Sequence, residues 1–178
     1  MPVPIVTVVV LFVSLCVVVD VYTRRIPNVI SGAAVLAGLG LNTLYFGTAG
    51  LIASVAGLLA PVAVLLFPFA LGGLGGGDVK MMAAVGALLG PSLALAGLGV
   101  GVIYGGVLMI VHLIGRGRLR EKLAAIGAML TAATLTRSLD PLRVRPDDAG
   151  AIALPYSLPL GLGTLTVLAF AHATGLSR

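Results

Sequence analysis

Polar positions along this chain are few and clumped, and the apolar runs between them are long enough to cross a lipid bilayer. A hydrocarbon core of about 30 Å needs about 20 helical residues at 1.5 Å each. The first run, 3–19, is rich in valine and ends at Asp20, where the polar stretch DVYTRRIPN (20–28) begins. Pro27 suits the first turn of a following helix, where its missing N–H costs nothing. A second run covers 29–46, and the short GTAG stretch (47–50) leads to a third at 51–71. Pro61 and Pro68 are expected to kink that third helix, which neighbouring helices tolerate in lipid. Beyond LGGLGGGDVKMM (71–82), the run 79–91 is short for a crossing. It reaches across only if the glycine stretch dips inward or the helix is buried among others.

The run 93–114 is a full-length span, followed by the basic turn RGRLREK (116–122). Leu119, Leu123, Ile126 and Leu130 then recur at helical spacing beside basic neighbours, as in a helix lying in the interface plane. RSLDPLRVRPDDAG (137–150) is a polar loop, and 152–174, opened by LPYSLP, is the last run. The pattern predicts an all-α polytopic membrane protein forming one embedded domain over 1–178. It has about six transmembrane helices at 3–19, 29–46, 51–71, 79–91, 93–114 and 152–174, plus a cytoplasmic interfacial segment at 116–150.

Composition agrees. Hydrophobic residues are 59%, charged residues 10% and mean hydropathy +1.16, against about 25% charged in soluble proteins. The 25 glycines are about twice the usual share of roughly 7%, which suits helices packed closely in lipid. Gly97, Gly101 and Gly105 recur every fourth position and so line one packing face. The lone cysteine, Cys16, excludes an internal disulfide and a Cys-rich zinc site and is expected as a buried thiol;. No basic residue precedes the first apolar run, which argues against a cleaved secretory signal.

The net charge of +5 is explained by orientation without any nucleic-acid partner, because lysine and arginine collect on the cytoplasmic side. With the N-terminus outside and six crossings, only Arg178 of the eleven basic residues lies outside. Making Leu123 to Thr136 a seventh crossing exports three arginines and spoils that bias. On this map Asp20 and Asp78 fall on the same, cytoplasmic, face.

An ionisable residue at the bilayer edge is a functional-site hypothesis, and Asp78 stands there behind three consecutive glycines, Gly75 to Gly77. These glycines admit turns that a Cβ forbids and let a second chain approach. Asp20 is the other acid outside the solvated stretches. Two carboxyls at one depth on different helices can divide base and acid work on a peptide bond, the ionised one taking a proton from water and the protonated one serving the leaving amine. Helix ends assign the ionised role to Asp78, at a helix start, and the acid role to Asp20, at a helix end.

Lys80, two residues beyond Asp78, either holds the base ionised or snorkels as an orientation residue. Arg24 and Arg25 read as orientation determinants. Asp147 and Asp148 read as part of a solvated loop, or as an acidic contact for a basic segment of a partner. His112 and His172 lie near opposite ends of different spans and share no ligand set, so no metal or other cofactor is expected. Ser14, Ser54 and Ser157 have no histidine at matching depth, which leaves a serine protease unsupported. Tyr156 reads as an interfacial aromatic anchor or as part of a substrate groove.

GGGD at Gly75 to Asp78, continued by Val79, Lys80 and Met81, resembles the GxGD-V/F-K-L signature of type IV prepilin peptidases. Asp20 followed by Arg24, Arg25, Ile26, Pro27 and Asn28 resembles the first-aspartate motif of that family. Pro155 and Tyr156 resemble its Pro-Tyr element, although the second proline, Pro159, stands one place later than in a common form. The resemblance implies an aspartic endopeptidase of the cytoplasmic membrane. Its partner is a prepilin-like membrane protein whose short basic leader it removes, with Asp20 and Asp78 in the catalytic places. Gly75, Gly77 and Lys80 support the active-site loop, and Pro155 and Tyr156 line the groove. Larger family members add a region with Cys-x-x-Cys pairs associated with N-methylation. This chain has none, so the resemblance extends to the short form serving Flp-type pili, or to archaeal preflagellin relatives, and not to methylation. Two other readings predict different things: a proton-coupled transporter needs polar residues at mid-membrane, and a non-catalytic assembly subunit tolerates asparagine at either aspartate.

Overall fold

The computed structural model describes residues 1–136 and 156–175. Over these the chain forms α1 (Val3–Thr23), α2 (Asn28–Ala70), α3 (Gly76–Leu89), α4 (Pro91–Gly115), α5 (Leu119–Thr136) and α6 (Ser157–Ala173), with no strand among the described residues. Three of these helices, α1, α2 and α4, are long and apolar enough to cross a membrane. Apolar side chains such as Leu11, Leu36, Ile52, Ile103 and Val111 are exposed on the outside of the bundle, as a lipid-facing surface requires.

Although α2 has 43 residues, it is not one rod. Gly47 takes φ 62° and ψ −143°, a conformation open to glycine and strained for any other residue. The chain reverses there, because a Cβ on Gly50 would collide with the backbone of Asn42, which a straight helix would hold about 12 Å away. GTAG is thus the expected turn between two helical halves, 28–46 and 48–70. Gly47 is the one non-helical residue inside α2, so neither Pro61 nor Pro68 breaks the second half. Pro61 is buried, next to Gly86 of α3.

The 14 residues of α3 span about 21 Å, well short of a bilayer core. The helix is enclosed by its neighbours: Met81, Met82, Ala84, Val85, Ala87 and Leu88 have no exposure. Helices gain nothing hydrophobic by meeting in lipid, so contact depends on small residues and polar bonds. Gly38 and Gly57 of α2 lie directly on the backbone of α3, at Ala87 and Gly86. This approach brings two α2 side chains to the end of α3. Asn42 Nδ2 donates to the carbonyls of Gly38 (3.0 Å), Ala87 (3.0 Å) and Leu88 (3.1 Å), and Ser54 Oγ donates to that of Ala87 at 2.5 Å.

The last carbonyls of a helix have no partner within it, and in apolar surroundings an unpaired one costs several kcal/mol. Asn42 and Ser54 therefore act as caps supplied by another helix. Gly90, at φ 79°, then ends α3, and Pro91 opens α4. Replacement of Asn42 by leucine is expected to lower stability by about 1–2 kcal/mol, read from unfolding in mixed micelles. A variant as stable as the wild type would remove the capping account.

Gly97, Gly101 and Gly105 of α4 meet Thr164, Leu160 and Pro159 of α6 in turn, so the glycine face packs as the spacing predicts and the two helices run antiparallel. Cys16 is buried and free. α5 buries no residue, and its neighbour in the bundle is α4. The rest of the expected interfacial segment, 137–150, lies outside the described residues. So do 152–155, and the helix expected from 152 begins at Ser157. The C-terminal end of α1, the N-terminal ends of α3 and α6 and the C-terminal end of α4 meet at one end of the bundle. Arg24, Arg25, Lys80 and the basic turn 116–122 fall at that end.

Candidate active site

The end of α1 turns sharply. Arg24 adopts a left-handed conformation, φ 53°, with its N–H on the Asp20 carbonyl at 2.8 Å. Thr23 Oγ1 bonds the carbonyls of Val19 and Arg25, each at 2.8 Å. The turn swings Ile26 back into the bundle, where it is buried against Gly77; a Cβ on Gly77 would lie 3.4 Å from its side chain. The polar stretch 20–28 and the glycine stretch therefore pack on each other.

The glycines serve space more than turning. Gly75 is extended, Gly76 and Gly77 already belong to the first turn of α3, and within 71–82 positive φ occurs at Gly72, at 77°. This corrects the expectation that the triple glycine forms the turn. Its smallness counts instead, since a Cβ on Gly75 would crowd Asp78 Oδ2 at 3.2 Å.

Asp78 sits in the first turn of α3, one residue ahead of the apolar run 79–91, and is only 7% exposed. Burial pushes its carboxyl up to about 6, and the charge of Asp20 pushes the same way; the backbone N–H groups of Gly75 and Asp78 pull against both. The helix-start argument that made Asp78 the readily ionised member is thus outweighed at that residue by desolvation.

Because burial is the larger cause, Asp20→Asn is expected to lower the Asp78 midpoint but leave it above the ordinary carboxylate value of about 3.9. Carboxyl carbon shifts followed through a pH titration in micelles measure this. A midpoint that stays put or rises would show that the two carboxyls do not sense each other.

Asp20, half-buried, accepts a hydrogen bond on Oδ2 from Ser157 Oγ at 2.6 Å. Ser157, the first residue of α6, has no exposure. Reading the sequence missed this contact: Ser157 entered it only as a nucleophile without a histidine. The available signal was a hydroxyl at a helix start within an apolar run. Tyr156 is half-buried and packs against the core just before α6.

Lys80 is exposed and donates to Asn28 Oδ1 at 2.8 Å. It braces the start of α2 against α3, and its hydrogen bond goes to Asn28, not to Asp78. His112 and His172 lie on α4 and α6. Pro155, Asp147 and Asp148 lie outside the described residues. Among the described residues no three His, Cys, Asp or Glu side chains gather as a metal set.

Two carboxyls from separate helices thus reach one end of the bundle, where the charge of one acts on the other. Such a pair can share a proton and divide acid from base work. A sequence profile described as the type IV leader peptidase family matches residues 7–114, more than half of the chain, including both aspartates and the glycine stretch. No curated protein and no solved structure matches the chain.

Proposed function

We propose, from the premise that this chain belongs to the type IV leader peptidase family, that it is an aspartic endopeptidase. It removes the short basic leader of Flp-type prepilin-like proteins at the cytoplasmic edge of a prokaryotic inner membrane. The observation that supports the reading is that Asp20 of α1 and Asp78 of α3 stand at one end of the bundle, near enough for the charge of the first to act on the second. The basic residues at that end support its facing the cytoplasm, and the helical halves of α2 support six crossings.

In the reaction, one carboxylate takes a proton from a water whose oxygen attacks the scissile carbonyl. The other carboxyl, protonated, polarises that carbonyl and then passes its proton to the leaving amine as the C–N bond breaks. The aspartate that gained a proton is then the acid, and the pair returns to one shared proton. The substrate enters sideways, its apolar helix against the lipid-facing bundle and its leader in the cytoplasm. Co-expression with a leader-bearing Flp-type prepilin tests the reading, with mobility on a gel and the N-terminus of the product by mass spectrometry. Conversion to a shortened product is expected, and a substrate left full-length by the wild-type chain would overturn it.

A further inference from the structure

We infer that Ser157 is a positioning residue for Asp20: its hydroxyl fixes the plane of that carboxyl and so decides which oxygen faces the attacking water. The inference rests on the reading of the chain as an aspartic leader peptidase, and it adds a residue outside the matched segment 7–114.

A serine at a helix start commonly turns its hydroxyl onto the free N–H groups of that helix. α6 has no such side-chain cap. The other hydroxyls on α6, Thr164 and Thr166, each donate to the carbonyl four residues earlier in their own helix, and Thr166 also lies 3.3 Å from the Tyr104 hydroxyl of α4. Ser157 instead reaches across to α1. Its side chain is fully buried, so its hydroxyl must be satisfied inside the protein, and it is satisfied by Asp20 Oδ2 at 2.6 Å. That length lies in the charge-assisted range of about 2.5–2.7 Å for a hydroxyl on a carboxylate.

The terminal torsion of an aspartate is soft, with a broad distribution. Without an anchor, the two oxygens of Asp20 turn freely at the half-buried end of α1. With Oδ2 held by Ser157, Oδ1 has one direction to present. The start of α6 thereby becomes part of the active site through its contact with Asp20, with Ser157 acting through that carboxyl. A misplacement of about 1 Å in a catalytic group costs about 10²-fold in rate, which sets the scale of the effect.

The test compares purified wild type with Ser157→Ala, Ser157→Cys and Ser157→Thr, cleaving a leader-bearing prepilin in mixed micelles, with melting followed in parallel. Ser157→Ala is expected to melt close to wild type and to lose about 10- to 100-fold in kcat, with KM within about twofold. Ser157→Cys, close in shape but a weak donor, is expected to behave like alanine, and Ser157→Thr to recover most of the rate. If Ser157→Ala does not fold, the cysteine and threonine pair decides: a hydroxyl that raises kcat over the thiol supports positioning, and equal kcat refutes it. Unchanged kcat in Ser157→Ala, or a loss confined to KM, also refutes it. Failure of the wild type to cut any leader would instead remove the underlying reading, so the two failures are distinct.

Discussion

Asp20→Asn and Asp78→Asn are each expected to reduce leader cleavage by about 10³-fold or more, since proton transfer by one positioned group is worth typically 10²–10⁴ and each aspartate serves one of the two transfers. Asparagine keeps the volume and one carbonyl oxygen. At position 20 that oxygen can still accept from Ser157, and at position 78 it can still face the N–H groups of Gly75 and its own residue. The variants should therefore accumulate and melt as the wild type does while failing to cut. Gel mobility of a co-expressed prepilin reads the first effect and melting the second. Cleavage retained within tenfold in either variant would refute the two-carboxyl mechanism and favour a non-catalytic role in assembly.

The second large effect concerns the fold alone. Gly86→Val and Gly57→Val are each expected to prevent stable accumulation in the membrane. A Cβ on either residue falls on the backbone carbonyl of the other, and backbone cannot rotate aside as a side chain can. Overpacking by itself costs roughly 1–3 kcal/mol. Here α3 must also move off α2, so the bonds from Asn42 and Ser54 to its last carbonyls are lost with it. Gly99→Ala and Gly106→Ala are the controls, since a Cβ on either meets nothing within 4 Å; they should be neutral. Abundance in isolated membranes, with melting in micelles, separates the two classes. Equal behaviour of Gly86→Val and Gly99→Ala would show that the α2–α3 contact is not what holds the bundle.

Several elements were legible because lipid leaves few choices. A run such as 3–19 can only be helix there, since backbone groups in hydrocarbon must be paired within the segment. The reversal at GTAG was legible because glycine alone adopts the φ of Gly47 without strain. The face of Gly97, Gly101 and Gly105 was legible from spacing, and the burial of α3 from its shortness. Pro61 and Pro68 both lie inside the helical second half of α2, which continues through them. The triple glycine was legible in part: permissiveness in φ and absence of a side chain look identical in a sequence, and of the two uses expected here it was the close approach that the fold took up.

The candidate site divides along the same line. Asp20, Asp78 and their common end of the bundle follow from the order of apolar runs and the placement of basic residues, both properties of the chain read in one dimension. How far the Asp78 carboxyl is held from ionising, which partner Lys80 takes, and the reach of Ser157 across 137 positions to Asp20 depend on burial and on distances between helices remote in the chain. Sequence fixes which residue can stand at a membrane edge, because transfer energy depends on composition along a run. Only packing decides what each such residue touches, because a hydrogen bond lost at a few tenths of an ångström leaves no trace in the order of residues.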